Sequence, residues 1–452
     1  MEIEDETETA PLPQRKSLSL VNARLVDPAS GLDAFGGLLI ANGTIADLGM
    51  HITEGSVEGT ESLDCGGRTV APGLIDMMVF CGEPGHEHRE TLATASRAAA
   101  AGGITTMCCM PDTDPVIDDV ALVDFVLRRA RDTALVHVHP MAAMTRELKG
   151  EDMAELGLLR DAGAIAFTNG KASVANAKLM RNVLSYAKDY GALIVHHLQD
   201  ANLADNGVMN EGEVATRLGL RGIPTEAETM MLDRDIRLVE LTGGRYHAAQ
   251  ISCRASLEVI QAAKARGLPV TCGVSINHLT LNENDIGPYR TFFKMTPPLR
   301  DEDDRQAMVE GVASGDIDVI VSAHDPRGAE GKRRPFSEAN DGAVGLETML
   351  GAGLRLFHNG SITLHRLLNA LSSRPAELLG LGGGRLVKGA PADLVLIDLE
   401  MPWTVEPGDL RSKSKNTPFD EARFEGRALV TFVAGRPVYH YGRWVRACRF
   451  ER

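Results

Sequence analysis

The side chains with chemistry to offer are few and scattered. His137-Val138-His139 sets two imidazoles two positions apart, so on a strand both point to one side and could share a metal ion. A packed or rim pair is the plainer reading. His324-Asp325, with Asp112 elsewhere, could form a metal-free acid–base pair; a polar rim with satisfied hydrogen bonds is the reading we favour. His86-Glu87-His88 follows a turn and starts a helix, with a solvated face as its default. The glycines from Gly380 to Gly384 lead into strand-like residues, which makes them a weak phosphate cradle. Cys108 and Cys109 face opposite sides of a strand and suit core packing.

Eight short apolar, β-branched runs must carry these residues: 70–79, 103–110, 134–142, 164–168, 192–197, 245–251, 268–274 and 317–323. Most are followed by a helix-like stretch such as NAKLMRNVLSYAKDYG. Strands alternating with helices eight times predict a (β/α)8 barrel of TIM type, an α/β fold, with function at the C-terminal ends of the strands. Residues 17–66 and 386–447 read as short strands with glycine turns, so a small β-sandwich domain built from both chain ends flanks a barrel over 67–385. Residues 1–16 read as a disordered acidic tail.

Composition narrows the class. The 452 residues carry 47 Lys+Arg against 62 Asp+Glu, a net charge of −15, which disfavours a nucleic-acid or anionic-membrane partner. The apolar share of 44% is that of a folded, soluble chain. Seven cysteines without a Cys-x-x-Cys pair argue against a disulfide framework and a cysteine-based zinc site. The acidic N-terminus is unlike a signal peptide, so the expected location is cytoplasmic.

The segment VAPGLIDMMVFCGEPGHEHRETLATASRAAAAGGITTMCCMPDTDPVID resembles the dihydroorotases of the amidohydrolase superfamily. The likeness continues in DNGVMNEGEVATRLGLRGIPTEAE, KMTPPLRDEDDR, GAVGLETML and KSKNTPFDEARFEGRALVTFVAGRPVY, roughly from 18 to 440. The family opens or closes cyclic amides with one or two zinc ions, and its first barrel strand carries Asp-x-His-x-His. Here Asp76 is followed by Met78 and Phe80 at the two histidine positions. The acidic bridging ligand of the fourth strand aligns near Asn169, the sixth-strand histidine is Gln250, and the eighth-strand aspartate is Ala323. Only His197, on the fifth strand, keeps a family ligand. The substrate-gripping arginine and two asparagines are Gly82, Asp112 and Thr296. Lys171, a residue that some relatives carboxylate, is offset from the bridging position.

One imidazole cannot hold a catalytic zinc, which takes about three protein ligands and an open position. The resemblance therefore implies a pseudoenzyme of pyrimidine biosynthesis. It would have no catalytic residues and no cofactor, and would serve as a homo-oligomeric assembly subunit of aspartate transcarbamoylase. The alternative is an active dihydroorotase or related cyclic amidohydrolase whose zinc is held by His137, His139, His197 and His324. A third possibility is a barrel mouth that binds a metabolite.

Overall fold

The computed structural model describes residues 17–442; the acidic tail at 1–16 and the last residues of the 386–447 segment lie outside them. The chain opens with strands β1 (Leu18–Asp27), β2 (Leu32–Ala41), β3 (Thr44–Gly49), β4 (Glu61–Asp64) and β5 (Thr69–Pro72). It then enters the barrel through β6 (Leu74–Val79), β7 (Ile104–Cys109), β8 (His137–Pro140), β9 (Ala142–Ala143), β10 (Phe167–Thr168) and β11 (Leu193–His196). A short pair, β12 (Met209–Asn210) and β13 (Gly222–Ile223), precedes β14 (Arg245–Ala248), β15 (Val270–Ser275) and β16 (Val319–Val321). The chain returns to its first sheet with β17 (Leu394–Thr404), β18 (Arg423–Val433) and β19 (Arg436–His440).

That sheet runs β19-β18-β17-β5-β1-β2-β3, with β4 beside β1, so both chain ends build one β layer. Alternating side chains such as Leu20, Leu38, Ile45, Leu396 and Phe432 are buried in its own apolar core.

The barrel is parallel throughout. β6, β7 and β8 pair in sequence, and β9, β10, β11, β14, β15 and β16 pair in sequence. Only Met141 separates β8 from β9, and a parallel bridge from Val79 to His324 links the end of β6 to the end of β16. Eight strand paths thus close on themselves, as the spacing of apolar runs predicts.

Two buried carboxylates brace the wall. Asp318, just before β16, accepts from Lys264 Nζ at 2.6 Å, from Arg374 Nε at 3.0 Å and from the Cys272 amide at 3.0 Å. Asp235, on the helix Glu226–Thr242, accepts from His196 Nδ1 at 2.7 Å and Tyr246 OH at 2.8 Å. His196 Nε2 in turn accepts from the Val174 amide at 2.9 Å, so the imidazole is held at both nitrogens and joins β11, β14 and the helix.

Two sequence expectations need correction. His86-Glu87-His88 lies in turns, and the helix begins at Leu92 because Thr91 and Thr94 form a reciprocal cap there. Cys81 and Cys109 are joined as a disulfide, where cysteine spacing alone gave no reason to expect one. Register explains it: β6 and β7 are paired neighbours, with Val79 opposite Cys109.

Burial pushes His247, on β14, down to about 4, with Nδ1 held 2.8 Å from Thr271 Oγ1. A folded-state value below the unfolded one, about 6.5, means the unfolded chain binds the extra proton between them, so this contribution to stability is lost as pH falls from 6.5 toward 4. Urea unfolding of His247→Gln across that window is expected to show a stability–pH slope shallower by about 1.4 kcal/mol per pH unit, one proton's worth.

Candidate functional site

The C-terminal strand ends converge on a pocket lined by residues of six barrel strands, β6, β7, β10, β14, β15 and β16, or the loops that follow them. Met78, on β6, and Phe80, just past its end, both line the mouth, where the register of β6 against β7 is irregular between Asp76 and Val79. Met78 and Phe80 are buried, and Met78 packs with Met77, Cys108, Met110, Met141 and Val321 in a cluster inside the barrel. The space left among Met78, Phe80, Met110, Gln250, Met295 and Ala323 is about 30 Å³, one water's worth.

Polar groups ring this plug. Asp325 is buried and meets three cations: Lys171 Nζ on Oδ2, Arg89 Nη2 on Oδ1 at 2.8 Å, and Arg327 Nη2 on Oδ2 at 2.9 Å. Burial alone would raise its carboxyl; the charges of Lys171, Arg327 and Arg89 outweigh that and hold it below the usual range. The Arg89 guanidinium also lies 3.9 Å over the Phe80 ring, so one side chain clamps both the plug and the carboxylate.

His324 is turned away from Asp325. Its Nδ1 accepts from the Gly345 amide at 3.3 Å, and its Nε2 lies 3.4 Å from Glu90 Oε2, near enough to attract but not aligned as a hydrogen bond. Glu90 is buried, which opposes ionisation, yet His324 and Ser412 hold its carboxyl below the ordinary value. Asp112 is pushed up by burial and keeps Oδ1 without a partner among the described residues. The His324–Asp325–Asp112 grouping is therefore not an acid–base pair: the His324 ring faces a different carboxylate.

Asp76 does what its place in a strand suggests. Its Oδ1 accepts from the amides of Met78 at 3.1 Å and Ser322 at 3.3 Å, stapling β6 to the end of β16, while burial lifts the carboxyl to about 6. Asn169 is occupied with Thr145, accepting from its amide at 3.1 Å and donating to Oγ1 at 2.7 Å. Gln250 donates to Met78 Sδ at 2.8 Å. His197 is buried, held down to about 3, with Nδ1 unpartnered among the described residues. Thr296 Oγ1 donates to Gln199 Oε1 at 3.0 Å. Gly82 has φ +70°, and a Cβ there would sit 2.3 Å from the Glu90 carbonyl, so no arginine fits at that position.

The histidine set considered from sequence is not assembled. His137 and His139 are the first and third residues of β8, at the opposite end of the barrel from Asp325. There they line a separate cavity with Thr105, the Gly382–Gly384 turn and Asp393, which lies 3.1 Å from His137 Nε2. Gly380 itself ends the helix Arg374–Leu379 in a left-handed conformation. Among the described residues no group of three or more His, Cys, Asp or Glu side chains could hold a metal ion. The side chains at the mouth do not fit zinc: thioether, phenyl, amide and methyl groups stand where the resemblance puts ligands, and an ammonium with two guanidiniums already supplies the positive charge.

Sequence reading missed Arg89, Glu90 and Arg327, because the first two sit in and just beyond a loop and meet their partners across more than two hundred residues. The doublet Arg89-Glu90 at the first helix's start was the available signal.

This architecture, a (β/α)8 barrel with an appended β layer, is that of the amidohydrolases. The L-hydantoinase (dihydropyrimidinase) of Arthrobacter aurescens superposes with a TM-score of 0.85 at 25% identity over 94% of this chain and 96% of its own. The dihydropyrimidinase of Brevibacillus agri NCHU1002 gives 0.82 at 20% identity over 94% and 95%. The dihydro-orotase-like family model matches residues 67–256. A dihydroorotase of Geobacter sp. (strain M21) is 42% identical over 426 residues, 94% of this chain and all of that protein. One of Anaplasma phagocytophilum (strain HZ) is 42% identical over 427 residues, 94% of this chain and 95% of its own. The chain belongs to the dihydroorotase-like family.

The mouth makes a graded expectation. Asp325→Asn leaves three cations facing one another and is expected to cost about 3–5 kcal/mol in urea unfolding. Lys171→Met keeps both guanidiniums on the carboxylate and is expected to cost less, about 1–3 kcal/mol. Equal losses would contradict the three-cation arrangement.

Proposed function

We propose that this chain is a dihydroorotase-family protein of pyrimidine biosynthesis that does not hydrolyse or close cyclic amides, acting in the cytoplasm as an assembly subunit. The observation that carries the reading is the filled mouth: Met78 and Phe80 occupy ligand positions and leave about 30 Å³. Zinc in this family's chemistry polarises the amide and brings bound water from a pKa of 15.7 toward about 7. No ammonium or guanidinium substitutes for it, since neither has an open coordination position for water.

Aspartate transcarbamoylase as the partner, and a homo-oligomeric state, rest on the resemblance alone. The reading is supported in one respect: the barrel, its eight closing strand paths and the β layer are all intact, while no group of three or more His, Cys, Asp or Glu that could hold a metal ion stands among the described residues.

A second reading, an active dihydroorotase or related cyclic amidohydrolase with an atypical site, is favoured by the relatives: those at 42–43% identity over 93–94% of the chain are named dihydroorotase. His197 would be the one family ligand available to it.

Metal content and turnover decide between them. Protein purified from zinc-supplemented culture is expected to carry well under one zinc per chain and to show no conversion of dihydroorotate or carbamoyl aspartate. Stoichiometric zinc with turnover abolished by a chelator would establish the second reading. Co-expression with the catalytic chain of aspartate transcarbamoylase is expected to give a complex that co-elutes on size exclusion; separate elution would remove the assembly role.

A further inference from the structure

A larger cleft lies outside the barrel, between the start of the helix Met349–His358 and the strands β17, β18 and β19, with an open volume of about 460 Å³. That is within the range of small-molecule sites, roughly 300–1,000 Å³. It shares no lining residue with the barrel mouth, so it is independent of whether the mouth is active.

Its polar groups are held in place by aromatic rings. The Arg427 guanidinium is sandwiched, 3.6 Å from the Tyr441 ring centre and 4.9 Å from that of Trp403. Trp403 is itself fixed by a 2.9 Å bond from Nε1 to the Gly426 carbonyl. Arg411 lies 5.4 Å over the Tyr439 ring. Stacking leaves the edges of a guanidinium free, and the buried Arg427 Nε has no hydrogen-bond partner among the described residues. Opposite charge is supplied by Glu347, whose two backbone bonds, from the amides of Arg411 at 2.7 Å and Ser412 at 3.2 Å, both fall on Oε2. Burial lifts this carboxyl to about 7, against the pull of the two backbone bonds and of the Arg411 and Lys415 charges.

The balance of charge selects the ligand. Glu406 and Asp409 add two carboxylates to Glu347 on the lining, against two guanidiniums. A phosphate or other polyanion meets net repulsion, and a simple amine leaves both arginines unused. Leu350, Leu410 and Ala428 supply an apolar wall. We propose that this cleft binds a zwitterionic α-amino acid with an apolar or aromatic side chain, its carboxylate on Arg427 and Arg411 and its ammonium on Glu347. Charge-assisted bonds at both ends then discriminate the amino acid from compounds that have only one of its charges.

Calorimetric titration of the full chain with L-leucine, L-phenylalanine, L-tyrosine and L-tryptophan tests this, alongside phenylpropionate, which lacks the amine, and phenethylamine, which lacks the carboxylate. At least one amino acid is expected to bind one site per chain, with its acid and amine counterparts at least about ten-fold weaker. Arg427→Gln and Glu347→Gln are each expected to weaken that binding by at least about ten-fold. Arg411→Gln, at an exposed position, is expected to weaken it without change in the melting temperature. No binding by any of the four, equal binding of phenylpropionate and phenylalanine, or unchanged affinity in Glu347→Gln and Arg411→Gln would each overturn the assignment.

Discussion

Asp325 is a buried carboxylate at the end of β16, and its two oxygens draw in Lys171, Arg89 and Arg327 from three places in the chain. A lone ionised carboxylate at that depth would cost several kcal/mol, so the three cations are not decoration but the condition for this part of the fold. Arg89 carries the constraint further, because its guanidinium stacks on Phe80 while its Nε donates to the Pro326 carbonyl at 2.9 Å. The loop after β6 and the loop after β16 are thereby locked to one another over the top of the barrel.

In an amidohydrolase barrel of the zinc type, a metal ion ties strand ends together and also does the chemistry. Here the first task falls to side-chain charge and to an apolar plug. Met78 and Phe80 add burial worth roughly 1.5–3 kcal/mol each where the family's pattern has two imidazoles. Ammonium and guanidinium donate hydrogen bonds and screen charge, but they do not bind and activate water as a Lewis acid does. The Glu90–His324 pair is buried beside this cluster: Glu90 is tied to Ser412, a bond between barrel and C-terminal segment, while His324 also lines the mouth.

Much of this was legible from residues alone, for definite reasons. Apolar β-branched runs mark buried parallel strands, and all eight lie where those runs do. That Met78, Phe80, Gln250 and Ala323 are chemically unable to do what imidazole and carboxylate do is legible from their identities; that they stand at ligand positions is what the resemblance implies. What periodicity cannot give is which end of a strand a residue occupies. His137 and His139 share a face as their spacing says, yet they start β8 and line a separate cavity away from the mouth. Nor does sequence reveal pairings across loops: Lys171, offset from the bridging position, meets Asp325, 154 residues away. The Cys81–Cys109 bond was hidden for the same reason, since it depends on strand register.

A crystal grown with excess zinc, and mapped by anomalous scattering at the zinc edge, puts the central claim to its sharpest trial. The account predicts no peak among Met78, Lys171, His197 and Asp325, with Phe80 still seated beneath Arg89. One or two ions at the strand ends, with Lys171 displaced from Asp325, would contradict it.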